Sequence, residues 1–190
     1  MRSTEITPEA AIDATRRWVE RAVIGLNLCP FAKAVHTGAK IRYAVTAVDT
    51  PTELVEALLA ELRLLRDSDP AKIETTLLIH PHALPDFLDY PWFIEICDTL
   101  LEQLELDGEI QIAQFHPQFQ FEGSLPDDIA NYTNRAPFPT LHLLREESVD
   151  RAVEAFPDAS VIYEKNIATL RTLGHAGWRR LWQEADDTPS

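Results

Sequence analysis

Two apolar segments of the chain close on the same dipeptide. LLIHP at residues 77–81 and QFHP at 114–117 both read as strands that run into His-Pro, and proline ends a strand because it has no N–H for the ladder. If both strands point the same way, His80 and His116 share the rim where ligands collect in open α/β sheets. His82 follows two residues later, and Glu122 opens a long connection, GSLPDDIANYTNRAPF (residues 123–138), that starts from the same rim. One bend of that connection would carry Asp127, Asp128, Asn131, Asn134 and Arg135 over the histidines. Imidazoles with carboxylates can do general acid/base work, for which His80, His116, Glu122 and Asp128 are the catalytic candidates. They also suit Zn²⁺ or Fe²⁺ as two histidines and one carboxylate, here His80, His116 and Glu122. Asn131, Asn134 and Arg135 are the substrate-binding candidates, because a guanidinium on a pocket loop grips a carboxylate or phosphate with two parallel hydrogen bonds. The competing reading is structural: each imidazole satisfies backbone carbonyls, and Arg135 pins its own loop. Within FHPQFQFE (115–122) the Phe half is expected to pack under a helix, with the polar half turned toward the site.

A second chemistry is thiol-based. Cys29 in Leu28-Cys29-Pro30-Phe31 precedes a short helical pattern, and a helix N-terminus lowers a thiol pKa. It follows a helix and not a strand, however, which is the wrong context for a thioredoxin-type turn. A Cys-Pro pair can also supply a thiolate to haem, with a histidine opposite, and inert packing is the third reading. Cys97, inside WFIEICDTLLEQL, is a core residue by its helical spacing. His142 alternates with Leu141 and Leu143; it reads as a core histidine that joins the His80 and His116 site if the fourth strand lies beside the third. Arg145 precedes Glu146 and Glu147 and reads as a surface ion pair. The tryptophans Trp18, Trp92, Trp178 and Trp182 read as core, with Trp178 and Trp182 one turn apart as a docking stripe.

The elements that must hold these residues are legible by period. Thr7-Pro8-Glu9 opens a helix carrying the stripe Trp18, Val19, Ala22, Val23, Leu26, ending near Gly25 or Asn27. IRYAVTAV (41–48) is a strand. Thr50-Pro51-Thr52-Glu53 forms a capping box before a helix with Leu54, Leu58, Leu62 and Leu65 at helical spacing. ETTLLIH (74–80) is a buried strand. A helical stretch from about Leu84 to Leu104 is interrupted by Pro91, which starts a second helix. EIQIAQFH is the third strand and PTLHLLRE the fourth, of undetermined direction. Helical turns follow at Asp150–Phe156, Glu164–Leu173 and Trp178–Glu184, and the tail ADDTPS frays. Strand, helix, strand, helix, strand predicts an α/β or α+β fold: one compact domain over 1–190, ordered over about 7–184, with a mostly parallel sheet of about four strands flanked by helices.

Composition narrows the partners. With 31 acidic and 17 basic residues among 190 the formal charge is −14, and no Lys/Arg-rich block could trace a phosphate backbone. Nucleic acid and anionic membranes are poor partners by this measure, and no apolar run approaches the ~20 residues that span a bilayer. The N-terminus lacks a signal-peptide core and two cysteines make no disulfide framework, so a cytoplasmic protein acting on a small, anionic molecule is expected. Six scattered glycines offer no phosphate-cradling loop. A metal-free enzyme, a metal-dependent one, a metal, haem or small-acid carrier, and an interaction scaffold all remain open.

Several blocks, in order, resemble one family: LNLCPFAKAV (26–35), LIHP followed by Leu84, Asp86 and Phe87, FHP-x-x-QF (115–121), DDIANYTNR (127–135) and LHLLREESV (141–149). The chain is similar to the bacterial and plant family known as domain of unknown function 1415. The resemblance covers nearly the whole chain and implies membership without an activity. Members commonly carry Tyr at the position of Phe119, and Ser and Tyr at those of Ala136 and Phe138. A mechanism that needs a hydroxyl there is in doubt for this chain.

Overall fold

The structure, a computed structural model, describes residues 6–155 and 159–183. Phe156, Glu184 and the tail ADDTPS, read above as helix ends and fraying terminus, lie outside the described residues. Helix α1 (Pro8–Trp18) starts as its sequence predicts, with the Thr7 side chain accepting from the Ala10 N–H and Pro8 in the first turn. It runs straight into a π-helical turn, Val19–Ile24. Asn27 at φ 52° then turns the chain toward α2 (Ala32–Thr37). Strand β1 (Ile41–Val45) follows, then α3 (Pro51–Asp67), β2 (Thr75–Ile79) and α4 (Tyr90–Gln103). A single 3₁₀ turn, Phe87–Asp89, precedes α4, and Pro91 lies in its first turn, so the expected break is real. Strand β3 (Ile110–Phe115), a 3₁₀ segment (Ile129–Thr133), β4 (Thr140–Arg145), α5 (Glu146–Ala155) and α6 (Ala159–Arg180) complete the chain. Gly174 interrupts α6 at φ 62°, a backbone state glycine adopts without steric cost.

The sheet departs from the mostly parallel expectation. Its order is β1-β2-β4-β3: β1 and β2 are parallel, while β4 is antiparallel to both of its neighbours. The fold is therefore a single α+β unit around a mixed four-stranded sheet. β1-α3-β2 is the crossover that the sequence announces. After β3, however, the connection returns the chain between β2 and β3, so those two strands point the same way without touching. As the sequence predicts, Pro117 ends the ladder, and residues 116–122 run on as turns and irregular chain.

Alternation divides the sheet into two faces. Ala44, Leu78, Ile110, Leu141 and Leu143 meet Leu54, Leu58, Leu62 and Leu65 of α3 and Phe93, Cys97 and Leu101 of α4 in the larger core. Leu77 on the other face meets Trp18, Val19 and Ala22 of the N-terminal helix, Leu170 and Trp178 of α6, and Ala136. α3 is fixed at both ends. The Thr50 hydroxyl accepts the Glu53 N–H and donates to the Glu53 carboxylate, a variant of the predicted capping box. At its other end Arg145 donates to the carbonyls of Leu65, Ser68 and Ile73. That corrects the surface ion pair expected for Arg145: helix-end carbonyls lack partners and take the guanidinium. Among the described residues no helix is long and apolar enough to cross a membrane.

Candidate functional site

The two His-Pro strand ends do share a rim, on the α3/α4 face, and both histidines pack against Tyr90, with ring centroids 5.8 Å (His80) and 4.9 Å (His116) away. Their exposures, 0% and 1%, leave little room for a substrate. His80 Nδ1–H donates to the Ala83 carbonyl at 3.0 Å, and Nε2 accepts from the Tyr90 hydroxyl at 2.8 Å. His116 Nδ1 accepts the Gln118 N–H at 3.0 Å, and Nε2–H donates to the Leu84 carbonyl at 3.2 Å. All four ring nitrogens are thus engaged, each ring as one fixed neutral tautomer. Burial lowers both pKa values, that of His80 to about 4, and pushes the Tyr90 phenol well above its ordinary range, keeping it a donor.

The remaining members of that constellation lie elsewhere. Glu122, Asp127 and His82 are exposed. Asp128 caps the 3₁₀ segment by accepting the Ala130 N–H at 2.9 Å. Asn131, fully buried, accepts from Phe121 N–H and the Ser124 hydroxyl and donates to the Leu125 carbonyl. It organises the long connection from within. Among the described residues no group of three His, Cys, Asp or Glu side chains is arranged to hold a metal ion. His80 and His116 would have to surrender these hydrogen bonds to become ligands, so the residues as folded do not fit the zinc or iron set proposed from sequence.

Openings occur on the other face of the sheet, on either side of Trp18. The first is a cleft of about 470 Å³ whose wall includes Arg17, Arg21 and Arg135, together with Trp18, Tyr132, Trp178 and Trp182. Ala14, Arg17, Trp18 and Arg21 line it from one strip of the N-terminal helix, at the spacing that puts side chains on one face. Arg135 donates through Nε to the Phe119 carbonyl at 3.0 Å and through Nη2 to that of Pro126 at 2.6 Å, with its guanidinium 4.5 Å from the Tyr132 ring centre. Arg21 donates to the Leu181 carbonyl at 2.9 Å. Carbonyls orient these guanidiniums without neutralising them. None of the three arginines makes an ion pair among the described residues, and no carboxylate lines the cleft. Ala136, where relatives were expected to carry serine, is part of the wall, so this chain offers no hydroxyl there.

The second opening is a cavity of about 430 Å³ between the sheet, the N-terminal helix and α2. Its wall is mostly aliphatic and aromatic, and it contains Cys29, Asn134 and His142. Cys29 is half-buried there. β4 does lie beside β3, but His142 faces this cavity on the opposite side of the sheet and does not join His80 and His116. Cys97, by contrast, is fully buried, with its thiol pushed up to about 12 by desolvation. Trp92 and Trp182 are exposed, against the expectation of core.

Of the sequence candidates, Arg135 therefore reaches the cleft, Asn134 and Cys29 reach the cavity, and the histidine rim is a third, closed place. Arg17 and Arg21 were not singled out. The signal existed, since they flank the apolar stripe at i and i+4, but nothing local to them announces the loop that brings Arg135 opposite.

No curated protein and no solved structure matches the chain. The matched family model spans residues 10–180, and the chain belongs to that family, whose description is "Protein of unknown function (DUF1415)".

Proposed function

We propose that the protein binds a small organic anion, a carboxylate or phosphate on an apolar or planar body, in the cleft of Arg17, Arg21 and Arg135. One observation carries this reading: in a chain of net charge −14, three arginines converge on one cleft with, among the described residues, neither an ion pair nor a carboxylate in its wall. Elsewhere on the protein arginine meets acid readily, as Arg42 does with Glu61 at 2.7 Å. Guanidiniums left charged beside low-dielectric aromatic walls form a focus for an incoming anion. The aromatic rings supply the apolar contact for its body. Binding is the function supported here, because among the described residues lining the cleft Tyr132 is the one titratable group besides the arginines; catalysis would need a group brought by the ligand or a partner.

Arg17 offers the cleanest test, since it has no hydrogen-bond partner among the described residues and its loss disturbs no loop. Calorimetric titration with phenyl phosphate and phenylacetate should show saturable binding that weakens with salt. Arg17→Gln should reduce affinity about tenfold, the loss of one charge-assisted contact, without moving Tm. Absence of binding by both probes to the native protein, or equal affinity in Arg17→Gln, would overturn the reading.

A further inference from the structure

The cavity on the sheet side of Trp18 differs from the cleft in chemistry. Protein interiors are close-packed, and voids larger than a water molecule are few, whereas about 430 Å³ lies within the roughly 300–1,000 Å³ of small-molecule sites. An opening of that size with a purely apolar wall would be a packing defect. This wall instead carries Gln111, Asn134 and His142, and neither amide side chain has a hydrogen-bond partner among the described residues.

His142 is held for one task. The Thr75 hydroxyl places its proton on the Leu143 carbonyl at 2.7 Å, so the imidazole Nε2–H donates to Thr75 Oγ1, also at 2.7 Å. Nδ1 is thereby the acceptor. It has no partner among the described residues and is not among the sealed, unsatisfied atoms, so its lone pair opens on the cavity. Desolvation holds the histidine neutral, with its pKa lowered to about 4. His142 offers an anion no charge, and the charged residues of the wall are engaged, Glu74 with Lys40 and Arg151, and Arg145 with the Leu65, Ser68 and Ile73 carbonyls.

We propose that this cavity binds a second class of ligand: a small, neutral, mostly apolar molecule whose hydroxyl or N–H donates to His142 Nδ1. The ligand fills space the core leaves open and brings a donor to the Nδ1 lone pair. Asn134 is held at the wall through its own carbonyl, which accepts the His116 N–H at 3.2 Å. Its amide and that of Gln111 are available to a second polar atom of the ligand.

The probe pair is 4-propylphenol and its methyl ether, 4-propylanisole, in which a methyl group replaces the donor hydrogen. Native protein should bind the phenol about tenfold more tightly than the ether, the worth of one hydrogen bond to a buried acceptor. His142→Phe should abolish the difference. Val35→Trp, which fills the α2 side of the cavity, should abolish binding of both, and it decides the matter if His142→Phe fails to fold. Equal affinity for phenol and ether, or no binding of either to the native protein, would overturn the proposal. So would loss of phenol binding in Arg17→Gln, which would place the probe in the arginine cleft; anion binding can fail without affecting this outcome.

Discussion

Three histidines, His80, His116 and His142, are carried into the fold without charge, and this makes each a liability in acid. Burial lowers all three pKa values from 6.5, to about 4 for His80 and His142. Between those limits the unfolded chain binds more protons than the folded one. The stability they share is thus whole above 6.5 and is drained as pH falls toward 4. In ring C–H NMR spectra, the His80 and His142 signals should remain those of neutral imidazole down to about pH 5; a titration step near the ordinary value for either would contradict the buried geometry. Tyr90 is the complementary group, and Tyr90→Phe should cost about 1–3 kcal/mol in urea unfolding by stranding His80 Nε2. The His-Pro echo was legible as two strand ends on a common rim. What could not be read was Tyr90, ten residues from His80 and on a helix, because a phenol's partner is set by packing and not by spacing.

At the scale of elements, α3 was legible end to end because its start and its stripe are written locally: a capping threonine, proline in the first turn, leucines every three or four residues. The group that closes its far end was not legible, since Arg145 lies on β4. Arg145→Ala should destabilise the protein by on the order of 2 kcal/mol, the range for hydrogen bonds to charged groups, and Arg145→Lys should recover only part, lacking the fork that spans several carbonyls. Thermal or urea unfolding of the two variants checks the ranking. The π turn at Val19–Ile24 is a subtler case. Apolar periodicity predicted a helix through this region, but an extra residue per turn changes which side chains meet the sheet. Trp18 stands immediately before that change, and Arg21 within it, so the register shift helps to set how the cleft is walled.

For the whole molecule, the acidic balance argues against a basic surface, yet net charge says nothing about one cleft. The fold class was half legible. Strand, helix, strand patterning found all four strands, but a connection from His116 to Pro139 is long enough to return the fourth in either direction. No crossover helix announces its sense. That return has a consequence for how the protein is made. β4 is the last strand among the described residues and an interior strand of the sheet, so β2 waits on it for a second partner and β3 for a first. During synthesis the first three strands emerge with two open edges, a state prone to pairing with neighbouring chains. The sheet closes only after Thr140–Arg145 has been added, by contacts far apart in sequence, which slows folding. Amides of Leu141 and Leu143 should accordingly exchange with deuterium only through global unfolding; faster local exchange there would show that the sheet persists without its final strand. Everything that precedes β4 is a half-built sheet, and the fourth strand acts as the keystone, last to arrive and common to both halves.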